Sequence, residues 1–181
     1  LTFGTFSGMA AQFALLMKNF YGTPFGADGI TAVSYAFLGA LVGSAARVLA
    51  GPVADRAGGA KVTLVAVIGI AFSALYTSFQ LSPSNVDEFP KFLWGMLAIF
   101  FFAGVGNAST FKQMPMIFEP RQAGGVIGWT AAIAAFGPFV FGVMFATGNA
   151  QMLYWLGFVT CLIGAGLTWY YYARPGAEKP S

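Results

Sequence analysis

Six apolar stretches alternate along this chain with short clusters of turn residues and charge, at approximately Leu1–Met17, Ile30–Ala54, Val62–Leu81, Phe92–Met116, Val126–Ala146 and Met152–Tyr172. A helix that crosses a bilayer needs about 20 apolar residues. The uncharged runs Val62–Val86 and Phe92–Phe111 each reach that length, and Gln122–Ala173 is long enough for two spans. The gaps carry turn formers: Tyr21-Gly22-Thr23-Pro24, Ala57-Gly58-Gly59, Ser82-Pro83-Ser84-Asn85, Glu119-Pro120-Arg121 and Gly148-Asn149. No alternation of strand type interrupts the pattern. It predicts an all-α membrane protein with six transmembrane helices, its partner being the lipid bilayer.

Composition sharpens the class. Charged residues make up 8% of the chain against about a quarter in soluble domains. The chain has no His, which excludes imidazole catalysis and His metal ligation, and its single Cys161 excludes a disulfide framework or a thiol metal site. A formal net charge of +3 is too small and too scattered for a nucleic-acid surface. No metal, cofactor or enzymatic activity is therefore expected. The chain opens inside an apolar segment without an initiator Met or a basic leader, and reads as a fragment continued upstream.

One charge breaks the apolar pattern. Arg47 has no charged residue from Gly29 to Ala46 before it or from Val48 to Ala54 after it. A guanidinium does not shed its proton, so within a bilayer it needs a counter-charge, a wet cavity or an anionic ligand. No carboxylate is placed in sequence to pair with it. Two readings stand: Arg47 binds an anion, or it snorkels. The second is open because Asp55 lies eight residues on, about 12 Å of helix toward the interface.

Glycine marks a second place. Gly4 and Gly8, and Gly39 and Gly43, have the small-xxx-small spacing that lets membrane helices approach closely. Gly104-Val105-Gly106-Asn107-Ala108-Ser109-Thr110 is denser. It predicts either a tight helix crossing with Asn and Ser bonding between helices, or a bared backbone that a small ligand can touch.

Two motifs resemble a known family. Gly51-Pro52-Val53-Ala54-Asp55-Arg56-Ala57-Gly58-Gly59-Ala60-Lys61, between the second and third spans, resembles the cytoplasmic loop motif of the major facilitator superfamily through Gly51, Asp55, Arg56, Gly58, Gly59 and Lys61. Ala103 to Phe111 resembles the nitrate signature of the nitrate/nitrite porter family within that superfamily. Phe3-Gly4-Thr5-Phe6, Tyr35 to Gly51 and the Gly-rich segment Gly124–Gly142 agree with it. The resemblance covers essentially the whole chain. It implies that residues 1–173 form the C-terminal six-helix half-domain of a twelve-helix transporter, with 174–181 a cytoplasmic tail and the N-terminal six-helix half elsewhere.

By the same resemblance the substrates are nitrate and nitrite, bound at the bilayer midplane between two arginines and aromatic faces. Arg47 is then the anion ligand of this half and Phe3 an aromatic wall. Gly104, Gly106, Asn107, Ser109 and Thr110 fall on the signature. The chemistry suits the ion, because a guanidinium can bond two oxygens of a planar anion at once. Lys112, just past the signature, is expected to draw anions toward the mouth, and Pro115 to loosen the helix beyond it.

Orientation and coupling complete the expectation. Arg56, Lys61, Lys112, Arg121, Arg174 and Lys179 fall on one side, while Lys18 and Lys91 share the other with Asp28, Asp87 and Glu88. The positive-inside rule makes the first side cytoplasmic, in a multi-pass protein of the cell (inner) membrane with a cytoplasmic C-terminus. No carboxylate or His lies inside a span, which favours antiport of nitrate and nitrite over proton coupling. The runner-up is a facilitator for another small or organic anion, possibly proton-coupled. A six-helix channel or membrane enzyme would need a pore repeat or a catalytic set that the sequence does not show, and an assembly factor would leave Arg47 unexplained.

Overall fold

A computed structural model describes residues 1–177, and these are helical nearly throughout. The α-helices are α1 (Thr2–Met17), α2 (Val33–Ala57), α3 (Gly59–Ser78), α4 (Phe89–Ile117), α5 (Pro120–Ala134), α6 (Gly137–Ala146) and α7 (Ala150–Thr168). Helix α1 runs on into a π-helical turn at Lys18–Gly22, and α7 into another at Trp169–Ala173. Residue Lys179 and the end of the expected tail lie outside the described residues.

Five stretches are long and apolar enough to cross a membrane: Val33–Ala57, Gly59–Ser78, Val86–Ile117, Pro120–Ala146 and Ala150–Ala173. Helix α1 has 16 residues, about 24 Å at 1.5 Å per residue, which falls short of a hydrocarbon core of about 30 Å unless its π turn is included. One expectation is refined. The fifth span is two helices, broken at Ala135-Phe136, where Pro138 in the first turn of α6 has no N–H to offer α5. Pro115 stands inside α4, which ends two residues later at Ile117.

Helix α4 lies at the centre, packed by α1, α2 and α3, while α7 rests on α3. Phe92, Met96, Ile99, Phe100 and Ala103 are wholly buried and recur at i, i+4, i+7, i+8 and i+11, a single helix face. The first four share a cluster with Met9, Phe13 and Met17 of α1 and Tyr154 of α7, whose hydroxyl donates to the sulfur of Met96 at 3.0 Å, while Ala103 packs with Val67, Ile70 and Cys161. Lipid tails are as apolar as these side chains, so dehydration does not drive the contact. Close dispersion contact does, at about 0.1–0.2 kcal/mol per atom pair over many pairs. Small residues make room for it: a side chain on Gly39 would strike the Phe100 ring, and one on Gly43 the Phe6 ring.

Each end of the bundle is tied. At one end the Tyr21 hydroxyl donates to the Gln80 carbonyl at 2.7 Å, joining the ends of α1 and α3 beside Phe89 and Phe92 of α4. At the other, α2 passes to α3 through a single residue, Gly58, whose φ of 93° lies where side chains are disfavoured. The expected loop at Gly51–Lys61 is therefore helix on both sides of one joint: Gly51, Asp55 and Arg56 end α2, and Gly59 and Lys61 begin α3.

Candidate functional site

Arg47 stands on the exposed flank of α2, two turns above Asp55. Its guanidinium carbon is 5.8 Å from the ring centroid of Phe111 on α4, within cation–π range. Phe111 in turn meets Phe3 of α1 edge-on, with centroids 6.0 Å apart and planes at 72°. Three helices thus bring one cation and two aromatic rings together, and no carboxylate pairs with Arg47 among the described residues.

The signature divides by helix face. A side chain on Gly104 would run into the backbone of Gly43, and one on Gly106 into Thr2 and Ala66. Both glycines take the close-packing role, of the two open to them, and draw α2, α1 and α3 onto α4. Ser109 is likewise committed, sharing a 2.7 Å hydrogen bond with Thr63 of α3 and donating to the Gly106 carbonyl at 3.2 Å.

Asn107 and Thr110 differ. Asn107 is 1% exposed, yet its side-chain oxygen has no hydrogen-bond partner in the protein, and neither has the buried Thr110 hydroxyl. Leaving such a group unpaired costs about 1–3 kcal/mol. Buried polar atoms are otherwise nearly always satisfied, so two within one turn of Phe111 mark a place where the chain keeps bonding capacity in reserve.

The loop motif has a partner that sequence reading missed. Lys112 forms an ion pair with Asp55 and donates to the Gly51 carbonyl at 3.0 Å. Lys112 thereby clamps α2 to α4, beside Phe111. No sequence signal could have found it, since the partners are 57 and 61 residues apart. Both side chains are largely exposed, so the ion pair itself is worth about 0–1 kcal/mol. Lys112→Met should cost more than Asp55→Asn because it also strips the Gly51 carbonyl of a donor. Thermal midpoints of the two purified variants check the order; equal shifts would contradict it.

At the end of α7, the Arg174 guanidinium lies 4.0 Å from the Tyr170 ring centroid, an arrangement suited to an interfacial aromatic belt. No cluster of three or more metal-ligating side chains occurs among the described residues.

Helices of this length and apolarity, stacked around a buried aromatic core, define a multi-pass membrane protein. No protein-family model matches the sequence. It is 56% identical over 185 residues to a probable nitrate/nitrite antiporter of Thermus thermophilus, an alignment that covers 99% of this chain and 41% of that protein. It is 29% identical over 202 residues to the nitrate/nitrite transporter NarU of Salmonella typhimurium and 27% identical over 202 residues to that of Escherichia coli, with 96% of this chain and 42% of those proteins covered in each case. The chain is a homologue of nitrate/nitrite transporters, the family that its Arg47 and Ala103–Phe111 segments resemble. It spans about two-fifths of the length of the relatives it matches.

Proposed function

We propose that this chain is the C-terminal six-helix half of a twelve-helix major facilitator transporter that exchanges nitrate and nitrite by alternating access. The observation that carries the reading is Arg47: an uncompensated guanidinium in an apolar helix, set against Phe111, which itself meets Phe3 and follows the unpartnered oxygens of Asn107 and Thr110 along α4. In this reading Arg47 binds two oxygens of the anion and the rings face its plane. Asn107 and Thr110 supply further polar contacts, while Gly104, Gly106 and Ser109 shape the wall behind them.

Helix α1, extended by its π turn, supplies the sixth span. The exposed Gly124, Gly128 and Ala132 follow small-xxx-small spacing along α5, and a side chain on either glycine would meet nothing within 4 Å. Such a face suits close packing against a second membrane-embedded half. Arg56, Lys61, Lys112 and Arg121 at one set of helix ends support, by the positive-inside rule, a reading in which that side and the C-terminus are cytoplasmic and the protein sits in the inner membrane.

Exchange is the expected coupling mode, because the spans hold no His and their carboxylates, Asp55, Asp87 and Glu88, lie within three residues of a span end rather than at membrane depth, where a proton carrier is needed. Preloading vesicles of the intact transporter with nitrite should accelerate entry of labelled nitrate, and a pH gradient alone should drive no accumulation. Accumulation on an imposed pH gradient with no internal anion would replace exchange by proton coupling. Failure of both, with another anion transported instead, would favour a facilitator of different substrate.

A further inference from the structure

We propose that the groove between α2 and α3 binds one acyl chain of an anionic phospholipid, with the lipid phosphate held by Lys61 and Arg56. Helices α2 and α3 both pack on α4 but touch each other little, so α4 shows through the gap between them. The resulting cavity, about 520 Å³, is lined by Ala50 and Val53 of α2, Val65 of α3, and Phe101, Phe102 and Val105 of α4. No polar surface lines it: Lys61 contributes only its methylene stem at one end, leaving the ammonium free to reach the interface.

Three features decide the occupant. First, the groove lies in stretches apolar enough to cross a membrane, and it is bordered by Leu49, Val53 and Val65, which are 72%, 54% and 61% exposed. That suits a hydrocarbon chain rather than a polar ligand.

Second, it is separate from the Arg47 site. None of Arg47, Phe111 and Phe3 lines it, and Leu49 and Val53 stand roughly 160° and 120° from Arg47 around α2 at 3.6 residues per turn. An occupant of the groove is therefore not an occupant of the anion site.

Third, the charge at its end is complementary to a phosphate. Leu49, Val53 and Arg56 follow at i, i+4 and i+7 on one face, which places Arg56 at the same end of the groove as Lys61. The nearby carboxylate of Asp55 is engaged by Lys112. Neither Arg56 nor Lys61 has a hydrogen-bond or ion-pair partner among the described residues. A second cavity of about 470 Å³, between α1, α6 and α7, is also apolar, but no charged side chain lines it, so it offers no such recognition.

The test is native mass spectrometry of the intact transporter in detergent, titrated with phosphatidylglycerol or phosphatidylcholine of matched chains. The wild type should retain phosphatidylglycerol more tightly, and Arg56→Gln/Lys61→Gln should lose that preference, each charge being worth about fivefold near an anionic surface. Val53→Trp, which fills the groove, should lower retention of both lipids. Inorganic phosphate should not displace the bound lipid, because it lacks the chain. Equal retention of the two lipids by the wild type, an unchanged preference in the charge variant, or displacement by phosphate would each overturn the proposal. Should the charge variant fail to insert, the wild-type comparison and Val53→Trp still decide.

Discussion

Arg47→Lys in the intact transporter is expected to reduce uptake of labelled nitrate into proteoliposomes by about 10- to 100-fold, although the charge is kept. The reason is geometric. A guanidinium presents parallel N–H donors in one plane and can bond two oxygens of a planar anion, whereas an ammonium is a compact point charge. Losing one charge-assisted hydrogen bond costs about 1.5–3 kcal/mol, and each 1.4 kcal/mol is tenfold. The position over Phe111 adds to the expectation, because a delocalised cation stacks on a ring face better than a hydrated ammonium does. Snorkelling toward the interface is the competing role for Arg47. Lys snorkels as well as Arg, so uptake at wild-type rates would move Arg47 from ligand to anchor.

The second large effect should come from Gly104→Leu. Even the first atom of a side chain there would lie 2.9 Å from the Gly43 carbonyl carbon and 3.1 Å from its Cα. Backbone cannot swing aside as a flexible side chain can, so α2 and α4 must separate. Overpacking of this kind costs typically 1–3 kcal/mol, and separation would also draw Arg47 away from Phe111. The variant should therefore insert but melt several degrees lower and lose transport. Gly106→Leu should act in the same direction more mildly, because its obstacles are side chains, Thr2 and Ala66. Gly166→Leu, on an open face of α7 with nothing within 4 Å, should leave the melting temperature near that of the wild type. If Gly104→Leu and Gly166→Leu melted alike, the α2–α4 crossing would not depend on the small residue at 104.

The division between what was legible in the sequence and what was not follows from how each feature is specified. Spans are written locally. A bilayer demands a continuous apolar run with every backbone group bonded within its own helix, so Val62–Leu81 and Phe92–Met116 lie within a few residues of α3 and α4. Arg47 was conspicuous for the same local reason, as a charge in a run that tolerates none. The break at Ala135-Phe136 was half legible: Gly137-Pro138 stands in the sequence, but so do Pro52 and Pro115, which α2 and α4 absorb without ending. Neighbouring helices decide that outcome, because they can re-satisfy the backbone groups a proline frees.

What only the tertiary structure decided is which face of each helix meets which partner. Gly104, Gly106, Asn107, Ser109 and Thr110 are consecutive in chemistry, yet the packing of α1, α2 and α3 splits them into wall glycines, a satisfied serine, and two polar groups left without partners. Phe111 becomes the ring beneath Arg47, and Lys112 becomes the partner of Asp55, only because α2 and α4 run side by side in one register. Sequence sets where a helix can cross the membrane, since apolarity and hydrogen bonding are properties of the segment itself. Contacts between segments dozens of residues apart depend on steric fit across the bundle, and that is settled only when the helices pack.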